Sequence, residues 1–183
     1  MKFIRQKIPD LILIEPKVHS DSRGYFVETF REDFLEKKIG QKIDFVQDNE
    51  SMSTKGTLRG LHYQLPPFTQ SKLVRVVYGS IIDVAVDIRK NSPTFGMHVS
   101  VELNEDNKKQ LYIPHGFAHG FIVVSDSAIV CYKADNFHAK DYERGIIYND
   151  EALAIEWRIP SKDILVSEKD NILPRFSRDT NYF

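Results

Sequence analysis

A dense cluster of residues capable of acid–base and phosphate chemistry lies in the segment Lys55-Gly56-Thr57-Leu58-Arg59-Gly60-Leu61-His62-Tyr63-Gln64. The guanidinium of Arg59 can bind a phosphate with two hydrogen bonds, and the imidazole of His62 can take up a proton near neutral pH. The two residues are three positions apart, so a regular strand would send them to opposite faces. A β-bulge at Gly60 would turn both side chains to one side. A shared site requires that bulge; without it, Arg59 is a solvated strand residue and His62 a core histidine.

A second cluster covers residues 112–121 and contains His115 and His119. Histidines four apart meet on one face of a helix, where they can bind a metal, but the proline and glycines of this segment disfavour a helix. On a strand, His119 shares one face with two phenylalanines, which gives an aromatic wall with a single polar group. A metal site built on His62, His115 and His119 is therefore the weaker interpretation.

Tyr132 and the segment 21–28 provide further candidates. A tyrosine flanked by apolar residues is ordinarily half-buried, and it becomes a general acid only across a substrate from a base. The segment 21–28 is typical of a turn followed by an edge strand. Cys131 is the only cysteine, so the chain has no intramolecular disulfide and no cysteine-cluster metal site.

Short runs rich in β-branched and aromatic residues, separated by turn signals, must position these side chains. This pattern predicts an antiparallel sandwich or barrel. The predicted strands cover residues 11–15, 24–30, 44–46, 57–64, 72–78, 80–88, 97–103, 110–113, 116–124, 128–133 and 153–157. Two helices are expected, one from Glu32 to Ile39 closed by Gly40 and a short one after Pro160 that Ser161 or Ser167 caps. With no repeat or linker, we expect a single domain over residues 1–183.

The composition excludes several classes of function. A net charge of −1 over 183 residues does not suit a protein that binds nucleic acid through bulk positive charge. The longest apolar runs are too short to span a bilayer, and no signal-peptide pattern follows the first residues. We therefore expect a cytoplasmic protein that binds neither nucleic acid nor membrane.

Taken together, the motifs resemble those of the dTDP-4-dehydrorhamnose 3,5-epimerase family, in the same order and spacing from about residue 14 to 174. They are Asp21-x-Arg23-Gly24-x-Phe26-x-Glu28, Gln47-x-Asn49-x-Ser51, the segment 55–64, Lys72-Leu73-Val74-Arg75, Ile113-Pro114-x-Gly116-Phe117-Ala118-His119-Gly120-Phe121 and Ser167-x-Lys169-Asp170.

The resemblance implies an all-β, cupin-type jelly-roll sandwich with short accessory helices. It also implies a homodimer whose pocket is shared between subunits, with no metal and no organic cofactor. The implied reaction inverts C3 and C5 of a nucleotide-linked 4-keto-6-deoxy sugar, dTDP-4-dehydro-6-deoxy-D-glucose, through an enolate. Such a reaction needs a base on one face of the sugar, an acid on the other, and a cation at the C4 oxygen.

Residue roles follow from the same resemblance. His62 is the expected base, Asp170 orients it, Tyr132 is the acid on the opposite face, and Lys72 stabilises the enolate oxygen. The remaining residues are expected to bind the diphosphate, the sugar or the pyrimidine: Arg23, Phe26, Glu28, Gln47, Asn49, Arg59, His119, Phe137, Glu143 and Lys169.

The sequence departs from the family pattern at two positions. Phe137 stands where the family often has a tyrosine stacked on the base, and Tyr148 where it often has a tryptophan. The alternatives are a mono-epimerase or a GDP-linked 4-keto-heptose 3,5-epimerase of the same family. Outside the family they are a metal-dependent cupin enzyme and a non-catalytic sugar-binding module.

Overall fold

The strands of the core form because their apolar residues recur at every second position. The computed structural model describes residues 1–183, and within it Val74 and Val76 point into the space between two sheets while Leu73 packs on the opposite face. This alternation buries one face of each strand against the facing sheet.

The first sheet contains six strands in the order β1-β2-β10-β7-β12-β5, and the second has the order β13-β6-β11-β8-β9 with β14 added beside β6. All pairings are antiparallel except that of β14 with β6. The strands are β1 Lys2–Arg5, β2 Ile12–Glu15, β3 Val18–Asp21, β4 Gly24–Val27, β5 Gln47–Thr54, β6 Thr57–Gln64, β7 Lys72–Tyr78, β8 Ser80–Asp87, β9 His98–Asn104, β10 Gln110–Ile113, β11 Phe117–Val123, β12 Ser127–Ala134, β13 Glu143–Gly145 and β14 Leu165–Val166. This sandwich confirms the predicted all-β fold.

Two short helices accompany the sheets, as predicted. Helix α1, Glu32–Ile39, ends at Gly40, whose φ of 81° is the left-handed conformation that favours glycine. Helix α2, Glu168–Asn171, begins after Ser167, whose hydroxyl accepts a hydrogen bond from the Asp170 N–H. Single turns of 3₁₀-helix lie at Lys140–Tyr142 and Ser161–Asp163. None of the helices has the length and apolar character needed to cross a bilayer.

Three apolar clusters hold the elements together. One fills the space between the sheets, a second lies on the outer face of the second sheet beneath the C-terminal segment, and a third lies where α1 covers the first sheet. The hairpin of β3 and β4 belongs to none of them and pairs only with itself.

Two predicted strands are wrong. Residues 44–46 precede β5 and form no strand, although the Val46 N–H donates to the Ala134 carbonyl of β12, and residues 153–157 form a turn and an irregular segment. Leu153 and Trp157 are apolar because they pack on the outer face of the second sheet, not because they pair in it. The pattern also missed β1, β3, the short strands β13 and β14, and all of β5, whose sequence is mostly polar.

Candidate active site

A cavity of about 750 Å³ opens between the two sheets and contains most of the predicted site. Of the fourteen expected site residues, those that line it are Asn49, Arg59, His62, Lys72, His119, Tyr132, Lys169 and Asp170. They come from both sheets and from α2, so the sandwich itself brings them together.

The required bulge is present in β6. His62 lies opposite His119 and Arg59 opposite Phe121, so three steps along β6 match two steps along β11. Gly60 has a φ of +124°, and a Cβ there would lie 2.5 Å from the Cα of Gly120. Only glycine fits this close approach of two backbones, and the extra residue turns both Arg59 and His62 toward the cavity.

His62 and Asp170 form a hydrogen-bonded pair. The distance from His62 Nε2 to Asp170 Oδ1 is 2.6 Å, and Asp170 is only 4% exposed. Burial by itself would raise the pKa of Asp170, but hydrogen bonding and charge interaction with His62, together with the Gly60 N–H, lower it below its usual value. The carboxylate therefore stays charged, orients the imidazole and stabilises its protonated form.

Asp170 reaches His62 because β14 runs parallel to β6, with Leu165 opposite Thr57 and Val166 opposite Leu58. This pairing places the following helix α2 beside the base of the cavity. The Ser167 cap then fixes the turn on which Asp170 lies, at 3.1 Å from Ser167 Oγ to Asp170 N.

Tyr132 and Lys72 come from the first sheet, across the cavity from His62. Burial raises the pKa of Tyr132, and Arg59 partly opposes this change. Burial lowers the pKa of Lys72 to about 8, while the negative charges of Asp83 and Glu143 act in the opposite direction. The Lys72 ammonium lies 5.8 Å from the centre of the Tyr132 ring. Tyr132 and Lys72 are thus close neighbours on the wall opposite His62.

The polar groups around the cavity hold each other in place. Arg59 Nε donates to Ser53 Oγ at 3.1 Å, and Gln47 donates to Asn49 at 2.9 Å. Lys169 Nζ lies 2.5 Å from Glu143 Oε2. These contacts leave Arg59, Lys72 and Lys169 as three cations at one cavity, which suits a diphosphate and a developing oxyanion.

Gln47 and Glu143 support the site without lining the cavity. Gln47 Oε1 accepts a hydrogen bond from the His138 N–H, and Glu143 pairs with Lys169 at the end of β13. Burial raises the pKa of Glu143, but Lys169 and the charge of His62 bring it below its usual value.

Four predicted residues lie away from the cavity of this chain. Arg23, whose side chain is 88% exposed, pairs with Asp21 at the hairpin turn. Phe26 is 70% exposed and Phe137 62% exposed, and Glu28 is also exposed. Within a single chain, Arg23 therefore lies apart from the other cations of the predicted site, because the hairpin turns it outward.

Sequence reasoning missed three polar residues that line the cavity or contact residues lining it. Ser51 lines the cavity, Ser53 binds Arg59, and Asp83 accepts from His119 with 2.9 Å between Oδ2 and Nε2. The alternation of polar residues along β5 was a usable signal for the two serines. A charge inside the apolar run of β8 was the signal for Asp83.

The sequence of this chain is similar to those of known proteins. The sequence model of the family described as dTDP-4-dehydrorhamnose 3,5-epimerase matches residues 5–178. The chain belongs to this family. A dTDP-4-dehydrorhamnose 3,5-epimerase from Shigella flexneri is 54% identical over 183 residues, covering 100% of this chain and 99% of that protein.

Solved structures of the family agree with this fold. The crystal structure of the dTDP-4-dehydrorhamnose 3,5-epimerase from Elizabethkingia anophelis has a TM-score of 0.94 at 47% identity and covers 100% of this chain and 99% of its own. That of the dTDP-6-deoxy-D-glucose-3,5-epimerase from Legionella pneumophila, in complex with dTDP-4-keto-L-rhamnose, has a TM-score of 0.89 at 45% identity, covering 96% and 98%. The cupin-type jelly roll that the sequence implied is confirmed.

Proposed function

We propose that this epimerase inverts C3 and C5 of dTDP-4-dehydro-6-deoxy-D-glucose to give dTDP-4-dehydro-L-rhamnose. One observation carries the proposal: His62, paired with the buried Asp170, and Tyr132 come from opposite sheets and line the same cavity. A base and an acid on opposite walls are what inversion at carbon requires, since the proton must leave one face and return to the other.

The chemistry proceeds through the ketone at C4. Both C3 and C5 are adjacent to it, so removal of either proton by His62 gives an enolate whose charge lies on the C4 oxygen. Tyr132 then donates a proton to the opposite face of the same carbon. The Asp170 carboxylate stabilises the imidazolium formed in the first step.

Lys72 supplies the charge that the enolate needs. Its ammonium faces the cavity beside Tyr132, in a half-buried position where electrostatic interactions are stronger than in water. We assign Arg59 and Lys169 to the diphosphate and Asn49 and His119 to the sugar, because all four line the cavity.

We further propose a homodimer in which the hairpin of β3 and β4 completes the pocket of the partner. The hairpin exposes Tyr25 and Phe26 and pairs only with itself, although an isolated two-stranded hairpin is at best marginally stable in water. Arg23, Phe26 and Glu28 would then reach a nucleotide bound to the other subunit. The cytoplasmic location, the single domain, the role of Phe137 and the absence of a metal and an organic cofactor stay predictions.

The reaction is tested by incubating the protein with dTDP-4-dehydro-6-deoxy-D-glucose in D₂O and locating deuterium by NMR. We expect incorporation at both C3 and C5. Incorporation at one carbon only would replace the proposal with a mono-epimerase, and incorporation at neither would reject this substrate.

His62→Asn provides the variant for the same experiment. It keeps a side chain of similar shape but removes the base, so exchange should fall by about 10²–10⁴-fold. His98→Asn, on β9 outside the cavity, is the matched control and should exchange like the wild type. Normal exchange in a folded His62→Asn protein would remove His62 as the base.

A further inference from the structure

Asp83 is a fully buried carboxylate that touches neither the cavity nor the proposed substrate. It lies on β8 between Ile81 and Ala85, which point into the core between the sheets, and Asp83 shares their face. Its exposed fraction is 0%. A charge among apolar residues is costly unless partners compensate for the lost hydration.

The compensation at Asp83 is incomplete within the protein core. Oδ2 lies 2.9 Å from His119 Nε2, while Oδ1 is buried and has no hydrogen-bond partner. Asp87, four residues along the same strand and equally buried, differs sharply. Side chains of Arg89, Ser92 and Thr94 all donate to it. A purely structural carboxylate in this strand is therefore satisfied, and Asp83 is not.

Lys72 is the cation that faces this core from the opposite sheet. It shares a face of β7 with Val74 and Val76, which pack in the same cluster as Ile81 and Ala85. It has no ion pair with an acidic side chain. Burial lowers the pKa of Lys72 to about 8, and among the charges that oppose this effect that of Asp83 is the largest.

We propose that Asp83 is a positioning residue for the reaction: from inside the core it keeps the Lys72 ammonium charged for the enolate and fixes the ring of His119 by accepting from Nε2. The inference rests on the proposed role of Lys72. The unsatisfied oxygen of Asp83 then lowers the stability of the fold, while the charge of the same carboxylate stabilises the charged form of Lys72. Perturbed ionisable groups are often found at functional sites.

Several other titratable groups surround the cavity face of Lys72. They are His62 and Arg59 on β6, His119 on β11, Tyr132 on β12, Glu143 on β13, Glu50 on β5, and Lys169 and Asp170 on α2. Asp83→Asn keeps the shape of the side chain and an oxygen that can accept from His119 Nε2. The substitution therefore isolates the contribution of the charge.

The test compares the pH dependence of kcat/KM in wild type, Asp83→Asn and Asp87→Asn. Lys72 must be protonated to stabilise the enolate, so activity should fall as pH rises through the pKa of Lys72, about 8. The pKa of Tyr132 is raised from 10.0, so loss of its proton does not account for this fall. Loss of the Asp83 charge should move this alkaline limb to lower pH by on the order of one unit. At pH 6.5 the ratio of kcat/KM in Asp83→Asn to that in the wild type should be at its highest. On the alkaline side this ratio should be about tenfold lower.

Asp87→Asn should lower the melting temperature but leave the alkaline limb in place. An Asp83→Asn protein that is slower by the same factor at every pH overturns the inference, as does an equal shift of the limb in Asp87→Asn. Since these outcomes require an active wild type, they are distinct from failure of the proposed reaction, which would abolish exchange in the wild type as well.

A second measurement needs no variant and remains available if Asp83→Asn does not fold. Long-range ¹H–¹⁵N spectra of the wild-type protein should show a proton on Nε2 of His119, as a donor to Asp83. A neutral ring with its proton on Nδ1 would overturn the inference.

Discussion

At the scale of single residues, the site divides its work between two walls of one cavity. In the proposed reaction, His62 and Asp170 provide the base on one wall, and Tyr132 and Lys72 provide the acid and the cation on the other. Each of these side chains therefore has a distinct effect when it is changed.

Tyr132→Phe removes only the hydroxyl that is proposed to return the proton. Because His62 is untouched, it should still remove protons from the substrate and exchange them with solvent deuterium on the same face. Inversion should fall by about 10²–10⁴-fold. NMR of the product in D₂O separates exchange with retention from inversion, and equal loss of both would contradict the assignment of Tyr132 as the acid.

Asp170→Asn should change the pH dependence of stability. The pKa of Asp170 is held below its ordinary value of 3.8, so the folded protein binds fewer protons there than the unfolded chain as pH falls past that value. Its contribution is complete above the unfolded pKa and is lost as pH falls through the folded pKa.

We expect the free energy of unfolding of Asp170→Asn to be about 1–3 kcal/mol below wild type at pH 7. The difference should narrow below about pH 4, where the wild-type carboxylate takes up its proton. Urea unfolding at a series of pH values measures it, and a constant difference would refute the stabilising role of the charge.

At the scale of elements, the bulge of β6 and the pairing of β14 with β6 decide which side chains meet. Gly60 allows β6 to approach β11 closely and turns Arg59 inward with His62. The β14 pairing carries Asp170 to the same place from more than one hundred residues further along the chain.

Gly60→Ala should be strongly destabilising, because its Cβ would collide with the backbone of Gly120 and His119. We expect a loss of about 3 kcal/mol in the free energy of unfolding, from strain and overpacking together.

Gly24→Ala is the matched control, since Gly24 has a similar φ of +132° but no neighbouring atom within 4 Å of the position that a Cβ would take. Its cost should be about 1 kcal/mol, the conformational part alone. Urea unfolding of both variants makes the comparison, and equal losses would show that the close approach of β6 and β11 does not limit residue 60.

At the scale of the whole molecule, the hairpin of β3 and β4 is the part that one chain does not explain. Its aromatic residues are exposed, and Arg23 lies outside the cavity that holds the other three cations. The proposed partner subunit would account for both facts.

Subunit complementation tests this arrangement. His62→Asn and Arg23→Ala should each be impaired as homodimers, the first in proton transfer and the second in substrate binding. A mixed dimer with a shared pocket has one intact site, so unfolding and refolding equal amounts together should restore up to about one quarter of wild-type activity. Activity no higher than the average of the two parents would show that each pocket is built from one chain.

The sequence by itself determined the features that depend on neighbouring residues. Period-two alternation gave most strands, Gly40 and Ser167 marked an end and a beginning of the two helices, and the spacing of the motifs identified the family. Two segments were misjudged because burial does not coincide with strand pairing there. The apolar segment 153–157 is buried but unpaired, and the polar strand β5 is paired although much of it is exposed.

Only the tertiary structure decided which residues that are distant in the sequence contact each other. The bulge at Gly60 depends on contact with β11, and the pair of His62 and Asp170 depends on the pairing of β14 with β6. Whether Asp83 finds hydrogen-bond partners depends on the elements that pack around β8. These are distances between residues remote in sequence, and local periodicity carries no information about them because it records only which face of an element is buried.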